Sequence, residues 1–184
     1  MAIPLSWSLK HSDKLLKTVL SAVFGALLIA VQVALAPLAN IELVTTLVML
    51  FGCVLGKYAF LSLGVFVLGE GLIFGFGIWW FSYLYIWIIP LFMGMALKKF
   101  RNPFVFGLGA AVFGLLFGTL TSIPNLIMFG IENAFAYIIA GIPFDIPHAI
   151  SNGVLTTVLF VPLRIALEKT LKISKEKIEK QDIL

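Results

Sequence analysis

Apolar residues run through this chain in long blocks separated by short polar or charged breaks, rather than alternating along it. The first block covers residues 15–36 and stops at Pro37, which disfavours helical geometry in the residue before it. A block at 41–55, short for a full crossing, ends at the tight turn Gly56-Lys57. Further blocks follow at 59–78, up to Leu97, at 104–129 and at 144–167. A helix needs about 20 predominantly apolar residues to cross the hydrocarbon core. The pattern predicts an all-α membrane protein: one compact bundle of six transmembrane helices, a single domain over residues 1–184 with a short charged tail at 168–184. The segment 75–85 is expected to turn at one membrane face, and residues 130–143 to form the longest connection on that same side.

Charge orients the bundle. With six crossings, all thirteen Lys and Arg residues fall in one compartment, including Lys57, Lys98, Lys99, Arg101 and Arg164, while Glu42, Glu132 and Asp145 fall in the other. Cytoplasmic loops carry the Lys/Arg excess, so both termini are expected to be cytoplasmic.

Composition agrees: 61% of residues are hydrophobic and 12% charged, against about 45–50% and about 25% in soluble domains. The net charge of +4 sits at membrane edges. It reads as a topology signal facing anionic headgroups rather than as a nucleic-acid surface. Cys53 is the only cysteine, so no intramolecular disulfide and no cysteine-based metal cluster can form. The basic N-terminus followed by an apolar run resembles a signal peptide, but the run 15–35 exceeds the usual h-region of roughly 7–15 residues and reads as a retained first helix.

Polar groups inside the blocks are the candidates for chemistry. Glu70 lies within the third block between Gly69 and Gly71. An acid in a span faces a cavity, a partner or the bundle interior, so Glu70 is either a ligand group or a buried structural acid. Asp145, His148 and Asn152, at i, i+3 and i+7, share one helix face and suit either a binding site or an internal hydrogen-bond network. Trp79, Trp80, Tyr83, Tyr85 and Trp87 crowd one segment. They form an interfacial belt or the walls of a site for a planar ligand. Asn40 and Glu42 in the first outer loop, and Asn125, Asn133 and Tyr137 near the last, are placed to close over such a cavity.

Small residues mark two stripes. Ala22, Ala26 and Ala30, four apart beside Gly25, share a face of the first helix, and Gly107, Ala110 or Ala111, Gly114 and Gly118 form a similar line in the fifth. Small side chains let helices approach closely in lipid. The second stripe is expected to pack within the bundle.

Enzyme motifs are nearly absent. Gly52-Cys53-Val54-Leu55-Gly56-Lys57-Tyr58 departs from a phosphate-binding loop in its glycine spacing and has Tyr58 where Ser or Thr would hold magnesium. Asp145, His148 and Ser151 lie on a single helix at spacings of three, which cannot arrange a nucleophilic relay.

Taken together, the chain resembles the substrate-binding membrane subunit (S-component) of an energy-coupling factor transporter. The resemblance rests on the six short-looped blocks, Ala22-x-x-x-Ala26, and the stretches NIELVTTLVMLFGCVLGK (40–57), LGEGLIFGFGIWWFSYLYIW (68–87) and GIPFDIPHAISN (141–152). It implies a multi-pass subunit of a bacterial plasma membrane that binds a vitamin from outside. It implies docking through Ala22, Ala26 and Ala30 onto a transmembrane coupling protein served by two cytoplasmic ATPases. ATP is then used by those partners, with no cofactor or metal on this chain. The stretches are similar to subunits assigned to cobalamin or its precursors. With a vitamin as the ligand, the candidate substrate contacts are the residues already singled out: Asn40, Glu42, Glu70, Trp79, Trp80, Tyr83, Tyr85, Asn125, Tyr137, Asp145, His148 and Asn152. The other readings are a small polytopic scaffold or assembly protein, a stand-alone facilitator working through Glu70, and an intramembrane enzyme using Asp145 and His148.

Overall fold

The computed structural model describes residues 5–181, and every regular element among them is helical. In chain order these are α1 (Leu5–Leu35), α2 (Val44–Leu55), α3 (Ala59–Phe74), α4 (Ile78–Ile86), α5 (Ile88–Leu97), α6 (Pro103–Leu115), α7 (Phe117–Thr121), α8 (Ile123–Phe129) and α9 (Ile131–Gln181). Residues 182–184 of the predicted tail lie outside the described residues, as do the side chains of Lys10, Lys175, Lys177 and Lys180.

Side-chain pairings give the helix directions. Ser62 Oγ donates to the Ser21 carbonyl at 2.7 Å, and Gly69 lies against Ile29, so α3 runs parallel to α1. The Phe24 and Phe51 rings stack at 4.7 Å, and Lys17 Nζ lies 5.7 Å from the Tyr58 ring, so α2 runs antiparallel to α1. The chain therefore reverses between α2 and α3, at Gly56, whose φ of 58° is one that glycine adopts without a Cβ penalty. The helical stretch 44–74 is apolar enough to count as one 31-residue span by length alone. The pairings show instead two antiparallel helices.

Close backbone approach fixes the remaining neighbours. Gly52 meets the Leu91 backbone and Gly94 meets the Met49 backbone, so α2 and α5 cross in close backbone contact. Gly107 faces Thr157, Gly114 faces Ala149 and Gly118 faces Asp145, so α6 and α7 run antiparallel to α9. The small-residue stripe of this segment thus packs inside the bundle, as expected from its spacing.

Several helices are long and apolar enough to span a bilayer, among them 14–35, 78–97 and 131–172, with the bent pair 103–115 and 117–129 offering another. The exterior is apolar: Leu72, Phe104, Leu108 and Ile127 are each more than 65% exposed. Ser21, Thr45, Thr46, Ser62, Glu70, Ser82, Asn152 and Thr156 are buried instead. This inversion suits hydrocarbon as the surrounding solvent.

Three boundaries differ from the sequence expectation. The aromatic segment is helical from Ile78, and only residues 75–77 turn, because Trp80 Nε1 donates to the Val67 carbonyl at 2.8 Å and folds α4 back on α3. Residues 130–143 are not a connection but the first turns of α9, entered at Gly130, with Asn133 Nδ2 capping the Phe129 carbonyl at 2.7 Å. The expected helix 104–129 is broken into α6, α7 and α8 with a 49° bend. There the Gly118 amide leaves the helical ladder to donate to Asp145 Oδ1 at 2.9 Å, and Pro124 supplies no amide donor.

The α2–α5 contact yields a stability test. A Cβ on Gly94 would sit 2.0 Å from the Met49 carbonyl oxygen, whereas one on Gly64 meets nothing within 4 Å. Gly94→Leu is expected to cost about 1–3 kcal/mol or more through overpacking, read as a lowered unfolding midpoint of the detergent-solubilised protein. Gly64→Ala is expected to leave that midpoint within error.

A candidate ligand cavity above a short helix

α2 holds 12 residues, about 18 Å of helix at 1.5 Å per residue, against roughly 30 Å of hydrocarbon. The space left beyond its N-terminus is filled by the loop 36–43 and by a cavity of about 520 Å³. Its floor and walls come from the end of α1 (Gln32, Leu35), the loop (Leu38, Asn40, Glu42), α4 and the α4–α5 break (Tyr83, Trp87), α7 (Phe117, Thr121) and the first half of α9 (Tyr137, Asp145, His148). Asn40 holds the loop with a φ of 61°, a left-handed conformation that asparagine tolerates.

Along every element the cavity and the cations lie at opposite ends. α1 runs from Lys17 to Gln32, α2 from Glu42 to Lys57, and the α4–α5 segment from Tyr83 to Lys98. The chain then returns from Arg101 to Phe117 and descends again from His148 to Arg164. At the cationic end Arg164 donates through Nη1 to the Phe100 carbonyl and through Nη2 to the Lys98 carbonyl, closing the α5–α6 loop onto α9. The cavity thus lies at the end of the helices opposite Lys57, Lys98, Arg101 and Arg164.

A polar ladder between α2 and α9 forms the cavity floor. His148 Nε2 lies 3.3 Å from Glu42 Oε1, with both side chains nearly buried. Thr45 ties its amide to Glu42 Oε2 at 2.9 Å and its hydroxyl to Glu42 Oε1, and accepts from Asn152 Nδ2 at 3.2 Å. One turn lower, the Thr46 and Thr156 hydroxyls meet at 2.7 Å. The steps 42–148, 45–152 and 46–156 show α2 and α9 running parallel. Glu42 precedes the first turn of α2, where the helix dipole favours a carboxylate. Burial pushes its carboxyl up, but the hydrogen bonds and charge of His148 and the bonds from Thr45 outweigh this and hold it below the usual carboxylate range.

Asp145 does not orient His148; Glu42 does. Asp145 Oδ1 instead accepts from Gly118 N, and Oδ2 accepts no hydrogen bond among the described residues. Ser151 Oγ is buried and makes no bond to His148. Phe117 meets the His148 ring edge-on at 4.8 Å, and Tyr83 meets Trp87 at 5.4 Å, giving aromatic walls.

Of the residues singled out in the sequence, Asn40, Glu42, Tyr83, Tyr137, Asp145 and His148 line the cavity, and Asn152 supports its floor. Trp79, Trp80, Tyr85, Asn125 and Glu70 do not line it. Trp80 bonds the Val67 carbonyl, Tyr85 bonds the Leu120 carbonyl, and Trp79 packs edge-on to Tyr83. Glu70 is 1% exposed within α3, and its Oε1 has no partner among the described residues. Trp87, named with the aromatic group in the sequence, also lines the cavity, whereas Gln32, Phe117 and Thr121 line it but carry no sequence signal that separates them from other apolar or interfacial residues. A wider groove of about 640 Å³ between α6 and α9 is lined by small and apolar residues with only Thr157 polar, so it lacks convergent polar groups.

Among the described residues no group of three His, Cys, Asp or Glu side chains is placed to hold a metal ion. Comparison with protein-family models, with curated proteins and with solved structures finds no match.

The ladder predicts a double-mutant result. Thr46→Val or Thr156→Val alone leaves one buried hydroxyl unpaired and is expected to cost about 0.6 kcal/mol, with about 1.7 kcal/mol as the upper range for such pairs. The double variant removes both groups and is expected to recover most of that loss. Unfolding midpoints of the three variants in detergent provide the check.

Proposed function

We propose that this chain is the substrate-binding membrane subunit of an energy-coupling factor transporter in a bacterial plasma membrane. In this reading the chain crosses six times, with both ends cytoplasmic. α2 and α3 are separate crossings, and α6 to α8 form one broken crossing. The observation that carries the reading is the 520 Å³ cavity at the end of the bundle opposite the Lys and Arg side chains, enclosed by aromatic and polar groups. Its volume falls within the range of about 300–1,000 Å³ typical of small-molecule sites. A compact one- or two-ring vitamin fits this volume. A complete corrinoid is larger than this volume, so a compact vitamin matches the cavity better than a cobalamin-type ligand.

The subunit binds its vitamin from outside and has no energy source of its own. ATP hydrolysis belongs to two cytoplasmic ATPases acting through a transmembrane coupling protein. The docking face is the first-helix stripe. Ala26 and Ala30 are exposed and Ala22 is half-buried, while Gly25 on the adjoining face is closed against Ser62 and Val65. The exposed alanines therefore remain available for a partner helix.

A second reading, a free-standing facilitator, draws support from the unpartnered buried carboxyl of Glu70. Reconstitution separates the two. With coupling protein and ATPases present, Ala26→Trp is expected to lower vitamin uptake by about tenfold or more while leaving affinity for the vitamin within about twofold, since the exposed face touches no cavity residue. Normal uptake by Ala26→Trp, or uptake in liposomes lacking ATPases, contradicts the subunit reading.

A further inference from the structure

We infer that the cavity selects a flat, positively charged nitrogen heterocycle, with the cationic ring seated against the Asp145 carboxylate between the aromatic walls. The inference rests on the reading of this cavity as a vitamin site and narrows it to one charge class.

Charge on the lining comes first. The cavity is lined by Glu42, Asp145 and His148 and by no Lys or Arg. An anionic ligand would meet two carboxylates there, with His148 already engaged by Glu42, and its lost hydration would go largely uncompensated. Glu42 is already engaged on both oxygens by Thr45 and His148. Asp145 is not. It is 7% exposed, its Oδ1 holds the Gly118 amide, and its Oδ2 lacks a donor among the described residues. Oδ2 lies close to Gly118 and Gly141, two residues whose lack of a side chain leaves the approach to that oxygen open.

The walls supply the second observation. Trp87 is 2% exposed and lies on the lining, and its indole N–H has no partner among the described residues. Buried indole N–H groups normally find an acceptor, so a ligand oxygen or ring nitrogen in the cavity would answer an existing deficit. The rings of Tyr83, Trp87 and Phe117 contact one another in sequence, at 5.4 Å and 6.1 Å between centroids. Such faces attract a delocalised cation through the ring quadrupole. A flat cation therefore satisfies an unpaired carboxylate oxygen, an aromatic wall and an unpaired donor together. A neutral ligand can donate to that oxygen but leaves the buried carboxylate charge without a counter-charge.

The test is a binding panel on the detergent-solubilised full chain by calorimetry, with probes matched in size and differing in charge. Thiamine and N1-methylnicotinamide form the cationic arm, pyridoxine and nicotinamide the neutral arm, and biotin and nicotinate the anionic arm. The cationic arm is expected to bind best. Asp145→Asn keeps an oxygen for the Gly118 amide but removes the charge, and is expected to weaken the cationic probe by about 10–100-fold. Tyr137→Leu changes a half-exposed wall residue with no hydrogen bond and, should Asp145→Asn fail to fold, is expected to weaken the same probe about threefold or more. Preference for a neutral or anionic probe, or unchanged affinity for the cation in the folded variants, overturns the charge assignment while leaving a vitamin site in place. Binding of no probe from any arm overturns both.

Discussion

Hydrocarbon offers no hydrogen bonds, and the α2–α9 interface is built around that constraint. Thr45, Thr46, Asn152 and Thr156 are fully buried with no water to turn to, so they turn to one another and to Glu42 at the cavity floor. Each rung pairs residues more than 100 positions apart and fixes both the parallel direction and the register of the two helices. A slip of one residue on α2 would rotate Thr45 and Thr46 by about 100° and strand several buried polar groups at once. The opposite flank of α2 is held by different physics: Gly52 and Gly94 bring backbones into contact with α5, where packing and not polarity makes the bond.

The cavity follows from holding so short a helix in that register. α2 is anchored along its length but is too brief to fill the end of the bundle opposite the cations. The void above it is bounded by longer neighbours, α1 and α9, and roofed by the loop that carries Asn40 and Glu42. The same pair, Glu42 and His148, therefore ends the structural ladder and begins the site. Asp145 has a comparable double position, since its Oδ1 breaks the α6–α7 ladder at Gly118 while the carboxylate lines the cavity. Structural hydrogen bonds and cavity lining share residues here, so conservative changes that keep hydrogen bonds and remove charge are the informative ones.

Much of this was legible in the sequence, and the misses have physical causes. Block length and the placement of Lys57, Lys98 and Arg164 carry the helical class and the end-to-end charge asymmetry, because both depend on local composition. The shared face of Asp145, His148 and Asn152 follows from helical periodicity. Which acid faces His148 does not: Asp145 is three residues away, yet the partner is Glu42, set by a register between distant helices. Trp80 and Tyr85 look like ligand contacts because their polar tips cannot be assigned from spacing, and both tips bond backbone carbonyls. Residues 130–143 resemble a loop through Glu132 and Asn133, but the Ala, Ile and Phe around them continue a helix. Phe117 is missed because cavity walls and lipid-facing surface use the same side chains.

The most direct test of the central claim, that the cavity opens to the compartment opposite the cations, is thiol labelling in intact cells. In a Cys53→Ala background, single cysteines at Asn40 and at Lys99 are exposed to a membrane-impermeant maleimide. An outward cavity requires the cysteine at 40 to label in intact cells and the cysteine at 99 to label only after permeabilisation. Labelling at 99 in intact cells, with 40 protected until the membrane is opened, would contradict it.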